Sequence, residues 1–305
     1  MLKLSIIGTS KIVEEHIKVA VEAGFELFSI SSTRKNSKNC KKLTQKYNFK
    51  HSFNDWRIAV SHSSKYKDIS FLIAPRIQDT YKILKMILNK NKKKFVFVEK
   101  PITTKINQFK DLIVYKKNVF VGYNRIFYNN IVFLKKNLKK INSVVVKCPE
   151  INRKNILHNS VHVISILFYL FGDLKLLNKK KNKNNLFIYL ENKKKLPIYI
   201  FFNFKAYENF SINIYSHRKK FLLKPLEKLT IYDGINKKVH SLNKNLVEYI
   251  PKLKYQNDEH FKNYFKPGFL NQMKAFKEFI KTKKNIYNDL VVSKKIMLVT
   301  KKIIS

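Results

Sequence analysis

Short apolar runs alternate with helix-periodic stretches over the first 122 residues. Leu2 to Ile7 reads as a strand ending at Gly8, and Phe25 to Ile30 and Val119 to Gly122 as two more. Ile69 to Ala74 and Phe95 to Val98 are apolar without a break, the pattern of strands buried on both faces; the first ends at Pro75 and the second at Pro101. Between the strands, Val13, Ile17, Ala20 and Val21 share one helical face closed by Gly24. A second helix is expected over Asp79 to Asn89, and a third over Lys105 to Lys116 through Ile106, Phe109, Leu112 and Ile113. Strands alternating with helices predict a doubly wound parallel sheet.

The pattern changes after Gly122. A helix over Ile131 to Leu138 and a strand over Ser143 to Lys147 lead to Ile156 to Gly172, which is apolar nearly all round past His162. That stretch is expected to be a buried helix with its polar end first. From Leu186 the signals are strands: 186–190, 196–204, 210–215, 220–223 and 229–232, with Asp233-Gly234 as a turn. Short connections predict an antiparallel sheet. Phe269, Met273, Phe276 and Ile280 then mark one helix face, and Leu290 to Ile304 a closing helix. The chain is therefore expected to divide into residues 1–122, an α/β domain, and 123–305, an α+β domain with a mostly antiparallel open sheet.

Composition narrows the class. The chain has 305 residues, 45% of them apolar and 13% aromatic, enough to fill two cores. Its 63 Lys+Arg against 20 Asp+Glu give a formal charge of +43, which raises the question of a polyanionic partner. The lysines are scattered over every segment, though, and Gly is down to 6 while Lys, Asn, Ile and Phe abound. That bias is what an A+T-rich coding sequence leaves on a tolerant surface, so no specific nucleic-acid site is expected. Two cysteines, Cys40 and Cys148, allow at most one bridge and suggest no metal. No signal peptide is evident, and the longest apolar run, Val161 to Phe171, is too short to span a bilayer, so a cytoplasmic setting without membrane insertion is expected.

Candidate chemistry gathers at the carboxyl ends of the parallel strands, where ligands bind in such sheets. The turn Gly8-Thr9-Ser10-Lys11-Ile12-Val13 lies between a strand and a helix, the setting of a pyrophosphate site, with Ser10 where a second glycine is usual. About twenty residues on, Ser32, Thr33 and Arg34 offer hydroxyls and a guanidinium but no carboxylate, which favours NADP over NAD. Glu99, Lys100 and Pro101 end the strand after Phe95. His158 and His162 share a face if both are helical; with no Glu beside them and no clear third ligand, no metal is expected.

Glu99-Lys100-Pro101 after a hydrophobic strand resembles the signature of the Gfo/Idh/MocA oxidoreductases, the glucose-fructose oxidoreductase and inositol dehydrogenase family. Ile7-Gly8-Thr9-Ser10, Val121-Gly122-Tyr123-Asn124-Arg125 and His158-Asn159-Ser160-Val161-His162 fall in that family's order. The resemblance implies a Rossmann domain followed by a substrate-binding and oligomerisation domain, with Lys100 and His162 as catalytic residues. It implies a cofactor site of Gly8, Thr9, Ser10, Ile12, Ser32, Thr33, Arg34, Ala74, Pro75, Glu99 and Lys100. It implies that Lys100, Tyr123, Asn124, Arg125, His158, Asn159 and His162 bind substrate. His158 and Ser165 depart from the family, which has acidic residues at those positions, and Ile126 stands where many relatives have a second arginine. The substrate implied is a sugar, sugar nucleotide or sugar acid, with relatives in surface-polysaccharide or sialic-acid-like pathways, and the assembly a homodimer or homotetramer. An NAD-dependent glycosidase and a non-catalytic sugar- or nucleotide-binding relative are the alternatives.

Overall fold

The computed structural model describes residues 2–242, 244–259, 264–285 and 289–305. It divides into two compact units, Met1–Phe127 with Tyr264–Leu298, and Tyr128–Asn263 with Val299–Ser305.

The first unit contains β1 (Lys3–Ile7), α1 (Lys11–Glu22), β2 (Glu26–Ser31), α2 (Lys38–Lys46), β3 (His51–Phe53), α3 (Trp56–Ser63), β4 (Ile69–Ile73), α4 (Ile77–Lys90), β5 (Val96–Glu99), α5 (Gln108–Leu112) and β6 (Val119–Gly122). Its strands are all parallel, in the order β3-β2-β1-β4-β5-β6. Every residue of β4 is buried, the reason its sequence is an unbroken apolar run. The order reverses between β1 and β4, and a crevice opens at such a reversal.

Local expectations need three corrections here. The elements α2, β3 and α3 are additional to those read from the pattern. The helix expected over 105–116 contracts to α5 and a 3₁₀ turn over Ile113–Tyr115. Val21 is half exposed, and the buried face of α1 is Val13, His16, Ile17, Val19 and Ala20.

The second unit follows with α6 (Asn129–Asn137), β7 (Ile141–Glu150), α7 (Val161–Phe171), β8 (Leu174–Lys181), β9 (Asn185–Asn192), β10 (Pro197–Phe204), β11 (Ser211–Ser216), β12 (Lys219–Leu223), β13 (Lys228–Val239) and β14 (Val247–Asp258). They form a sheet in the order β14-β13-β12-β11-β7-β10-β9-β8, antiparallel throughout except where β10 lies parallel to β7. One face is buried, with Ile198, Ile200 and Phe202 on β10, while Tyr199 between them is exposed. Asp233-Gly234 does not turn the chain. The β13 register slips between Tyr232 and Ile235, with Gly234 at φ +82°, and the strand runs on to Val239. The pair is a bulge in a long ribbon.

Two helices close the chain, α8 (Phe269–Thr282) and α9 (Leu290–Ile304), and the boundary between the units falls inside α9. The chain thus stays in the first unit a few residues past Gly122, where the division is expected, and returns to it at Tyr264. Burial explains the return, because α8 places Phe269, Met273, Phe276 and Phe279 in one core with Val13 and Ile17 of α1 and with Phe97 and Phe120. The Lys277 ammonium donates to the Ala23 carbonyl at 2.6 Å and the Gly24 carbonyl at 3.3 Å. A cation is favourable at the negative end of α1, so α8 caps the helix it covers. Among the described residues, no helix is long and apolar enough to cross a membrane.

Candidate active site

Gly8 sits where the end of β1 passes the end of β4. Its φ is +135°, and a Cβ there would lie 2.6 Å from the Ala74 carbonyl oxygen. Only glycine fits such a crossing of two backbones. Gly8 N donates to Ser31 O at 2.9 Å and Ala74 N to Ile7 O at 2.9 Å, so three strand ends are tied together. Above them opens a cleft of about 310 Å³, lined by Gly8, Thr9 and Ser10 from the first turn, Ser32, Thr33, Arg34, Ser37 and Asn39 from the segment after β2, and Ala74, Pro75 and Arg76 after β4.

The cleft is organised by small polar groups. Ser10 is the N-cap of α1 but makes no side-chain capping bond. The first-turn amides of a helix have no intrahelical acceptor, so this end suits an anion. Thr9 Oγ1 donates to Ser32 Oγ at 3.4 Å and lies 3.5 Å from Ser37 Oγ. Asn39 Nδ2 donates to the Thr9 carbonyl at 3.3 Å, Arg34 N to Ser32 Oγ at 3.1 Å, and Cys40 N to Ser37 Oγ at 3.3 Å. None of the lining residues is a carboxylate, and two, Arg34 and Arg76, carry an exposed guanidinium.

At the end of β5 the Glu99 carboxylate spans two elements. Its Oε1 lies 2.6 Å from Nε2 of His16 on α1, and its Oε2 accepts from the Lys100 backbone N–H at 3.1 Å. Glu99 is in register with Gly122 of β6, where a Cβ would approach Glu99 Oε1 and the Phe97 ring to 3.2 Å. Burial pushes the Lys100 ammonium down to about 8, with the Glu99 charge working against that shift and the Arg125 charge adding to it.

The segment after β6 behaves differently from expectation. Tyr123 is 1% exposed, its hydroxyl lies 3.2 Å from Ser293 Oγ, and burial pushes its phenol up to about 12. The side chain belongs to the core and presents no hydroxyl to a substrate. Asn124 and Arg125 stand in a 3₁₀ turn over Asn124–Phe127 and are partly exposed. The buried Gln272 amide, oriented with its oxygen as acceptor, receives Tyr123 N at 3.2 Å and Asn124 N at 3.1 Å.

In the second unit, the buried Glu150 at the end of β7 organises the approach to α7. Glu150 Oε1 accepts from Ser160 N at 3.0 Å and also from the Ser160 hydroxyl, and Oε2 accepts from Asn159 Nδ2 at 3.3 Å. The helix begins at Val161, so His162 is helical while the exposed His158 lies in the turn before it. The two histidines therefore do not share a helix face as their spacing suggests. His162 is half-buried, and its carbonyl accepts from Ser165 Oγ at 2.7 Å. Among the described residues, no cluster of His, Cys, Asp and Glu could hold a metal ion.

Comparison with known proteins names this architecture. Residues 2–121 match the GFO_IDH_MocA model, an oxidoreductase family with an NAD-binding Rossmann fold. That segment, the parallel-sheet part of the first unit, belongs to the Gfo/Idh/MocA oxidoreductase family. No curated protein sequence matches it. Among solved structures, the dehydrogenase MviM from Clostridium difficile superposes with a TM-score of 0.78 at 18% identity, covering 99% of this chain and 98% of that one. Levoglucosan dehydrogenase in complex with NADH gives 0.77 at 13% identity, covering 99% and 95%. An oxidoreductase from Agrobacterium radiobacter in complex with NAD+, L-tartaric acid and magnesium gives 0.73 at 12% identity, covering 98% and 94%. At these identities the likeness shows a shared fold.

Within this Gfo/Idh/MocA domain the cleft gathers most of the expected cofactor residues: Gly8, Thr9, Ser10, Ser32, Thr33, Arg34, Ala74 and Pro75. Ile12 is not among them, because its side chain packs against the core beneath α1. Glu99 and Lys100 stand at the end of β5, outside the cleft lining. Ser37, Asn39, Arg76 and His16 are additional. Ser37 carries a sequence signal as a serine just ahead of a helix, and Arg76 follows an expected residue. Asn39 carries none, and His16 lies 83 positions from its partner Glu99.

Proposed function

We propose that this chain is an NAD(P)-dependent oxidoreductase, a dehydrogenase or reductase acting on a hydroxyl or keto carbon of a sugar derivative, with NADP favoured over NAD. The observation that carries the reading is the cleft at the β1/β4 reversal: glycine at the backbone crossing, a helix N-terminus, and a lining of hydroxyls and guanidinium groups without a carboxylate. Gly8, Thr9 and Ser10 would hold the pyrophosphate. Ser32, Thr33 and Arg34 would hold the adenosine ribose and its 2'-phosphate, and Ala74 and Pro75 would support the cofactor from below. When bound, the nicotinamide supplies or accepts the hydride.

Lys100 hydrogen-bonds the reacting oxygen and, while protonated, stabilises the developing alkoxide; a pKa near 8 leaves it charged at neutral pH yet able to release its proton. His162 exchanges the hydroxyl proton. Glu99 is structural, and Asn124, Arg125, His158 and Asn159 bind substrate hydroxyls or a carboxylate. Levoglucosan dehydrogenase among the neighbours supports a sugar substrate. Exposed aromatic residues on the open sheet face, Phe187, Tyr199 and Tyr215, support a homo-oligomer formed through that face.

The test is a titration of the purified protein with NADPH and with NADH, followed by nicotinamide fluorescence, on wild type, Arg34→Ala and Lys100→Ala. The expected result is tighter binding of NADPH, a preference that Arg34→Ala removes, and retained binding in Lys100→Ala with loss of turnover on sugar alcohols. Absence of binding to either nucleotide would sink the proposal. Binding of NADH alone would overturn the cofactor preference.

A further inference from the structure

We propose that His16 is a positioning residue: by holding one oxygen of Glu99, it keeps that carboxylate off the Lys100 ammonium and so sets the proton affinity of Lys100. The inference rests on the reading of Lys100 as the group at the reacting oxygen.

His16 is 1% exposed, on the buried face of α1 between Val13 and Ile17. Its ring meets Phe97 edge-on at 5.1 Å and Phe269 at 5.0 Å. Apolar side chains fill the rest of this helix face, and an imidazole among them is costly unless its nitrogens are bonded. Nε2 is bonded, 2.6 Å from Glu99 Oε1, while Nδ1 is buried with no partner among the described residues. Packing alone would favour an apolar residue here. What histidine adds is an N–H donor delivered through the core to one carboxylate oxygen.

That oxygen belongs to the residue next to Lys100. The second Glu99 oxygen is engaged by the Lys100 backbone N–H, so the carboxylate is held at both ends. Glu99, on its own segment, and Arg125, after β6, both bear on the Lys100 charge. Remove the imidazole donor, and the carboxylate gains most by turning to the Lys100 ammonium; the resulting ion pair raises the Lys100 pKa toward the ordinary lysine range. His16 thus connects α1, whose N-terminus opens on the nucleotide cleft, to the acidity of Lys100.

The test is competitive trace acetylation with acetic anhydride across pH 6–12, read at Lys100 by peptide mass spectrometry with surface lysines as internal controls. It needs neither substrate nor cofactor. Wild type is expected to show a Lys100 midpoint near 8. H16F and H16N, which cannot reach Glu99 with a donor, should move the midpoint up by about one pH unit or more. H16Q, whose amide can take the Nε2 place, should keep the wild-type midpoint, and H16F/E99Q should return it to that value or below. Midpoints in H16F and H16N that match wild type overturn the role of His16 and leave the reading of Lys100 standing. An H16Q midpoint that moves with H16F, or failure of all three single variants to fold, makes His16 a packing residue and also overturns it. A wild-type midpoint in the ordinary lysine range removes both readings together.

Discussion

Burying an ammonium group has a thermodynamic cost that depends on pH. Lys100 titrates near 8 in the folded chain, against an ordinary 10.5. Below about pH 8 both states are protonated and the full burial cost is carried. Between 8 and 10.5 the unfolded chain holds more protons than the native one, so stability rises with pH across that window. Lys100→Met is therefore expected to be more stable than wild type by roughly 3 kcal/mol at pH 7, an advantage that falls to less than half by pH 9.5. Urea melts at the two pH values check it, and an equal difference at both would argue against the depressed lysine. Gly8 works in the opposite sense. A methyl group there meets backbone, which cannot move aside as a flexible side chain would. Gly8→Ala should lose about 2 kcal/mol or more in a urea melt and weaken nucleotide binding along with it.

At the scale of elements, α7 depends on a carboxylate that is not part of it. Glu150→Ala would leave the Ser160 N–H, the Ser160 hydroxyl and the Asn159 amide without their acceptor. The expected cost is about 2–3 kcal/mol, with faster amide hydrogen exchange at residues 160–163 and at no distant strand; exchange unchanged there would refute the role given to Glu150. Which elements are legible in the sequence follows from how each is buried. Strands β4 and β5 announce themselves because both faces are covered. Helix α2 buries only Cys40 and Leu43, so its pattern is weak. The outer half of β13 and most of β14 face solvent on both sides; Val247, Tyr249, Leu253 and Tyr255 of β14 alternate with Glu248, Lys252 and Lys254 as in a strand, but Tyr249, Leu253 and Tyr255 are exposed, so the alternation marks no core face. Tyr123 shows the converse. Its place beside Asn124 and Arg125 suggests a binding hydroxyl, but direction is set by packing against α9, through Ser293, which lies 170 positions away.

For the whole molecule, the motifs at Gly8 and at Glu99-Lys100-Pro101 identify the nucleotide-binding fold from local sequence. The composition of the first unit does not follow from them. Its sheet ends at Gly122, but the cover over α1 comes from α8, with Phe276 5.6 Å from Phe97 and 5.7 Å from Phe120 between ring centroids. Periodicity locates that helix without saying which core receives it. The +43 charge belongs to this scale as well. The ion pairs formed by the few acidic groups are largely at the surface, as with Lys46–Glu14 and Lys254–Asp233, and such pairs contribute little.

The late arrival of α8 bears on how the protein is made. A growing chain that has passed residue 127 already holds six parallel strands, yet the aromatic layer that closes over α1 has not been synthesised. At about 5–20 residues per second, the ribosome needs on the order of ten seconds more to reach it. Throughout that interval the unit begun first stays unfinished while the whole second sheet is translated, so its apolar helix face is where a chaperone would find something to hold. The unit whose sheet is synthesised before the other's must wait for the whole of that second sheet before its own core can close.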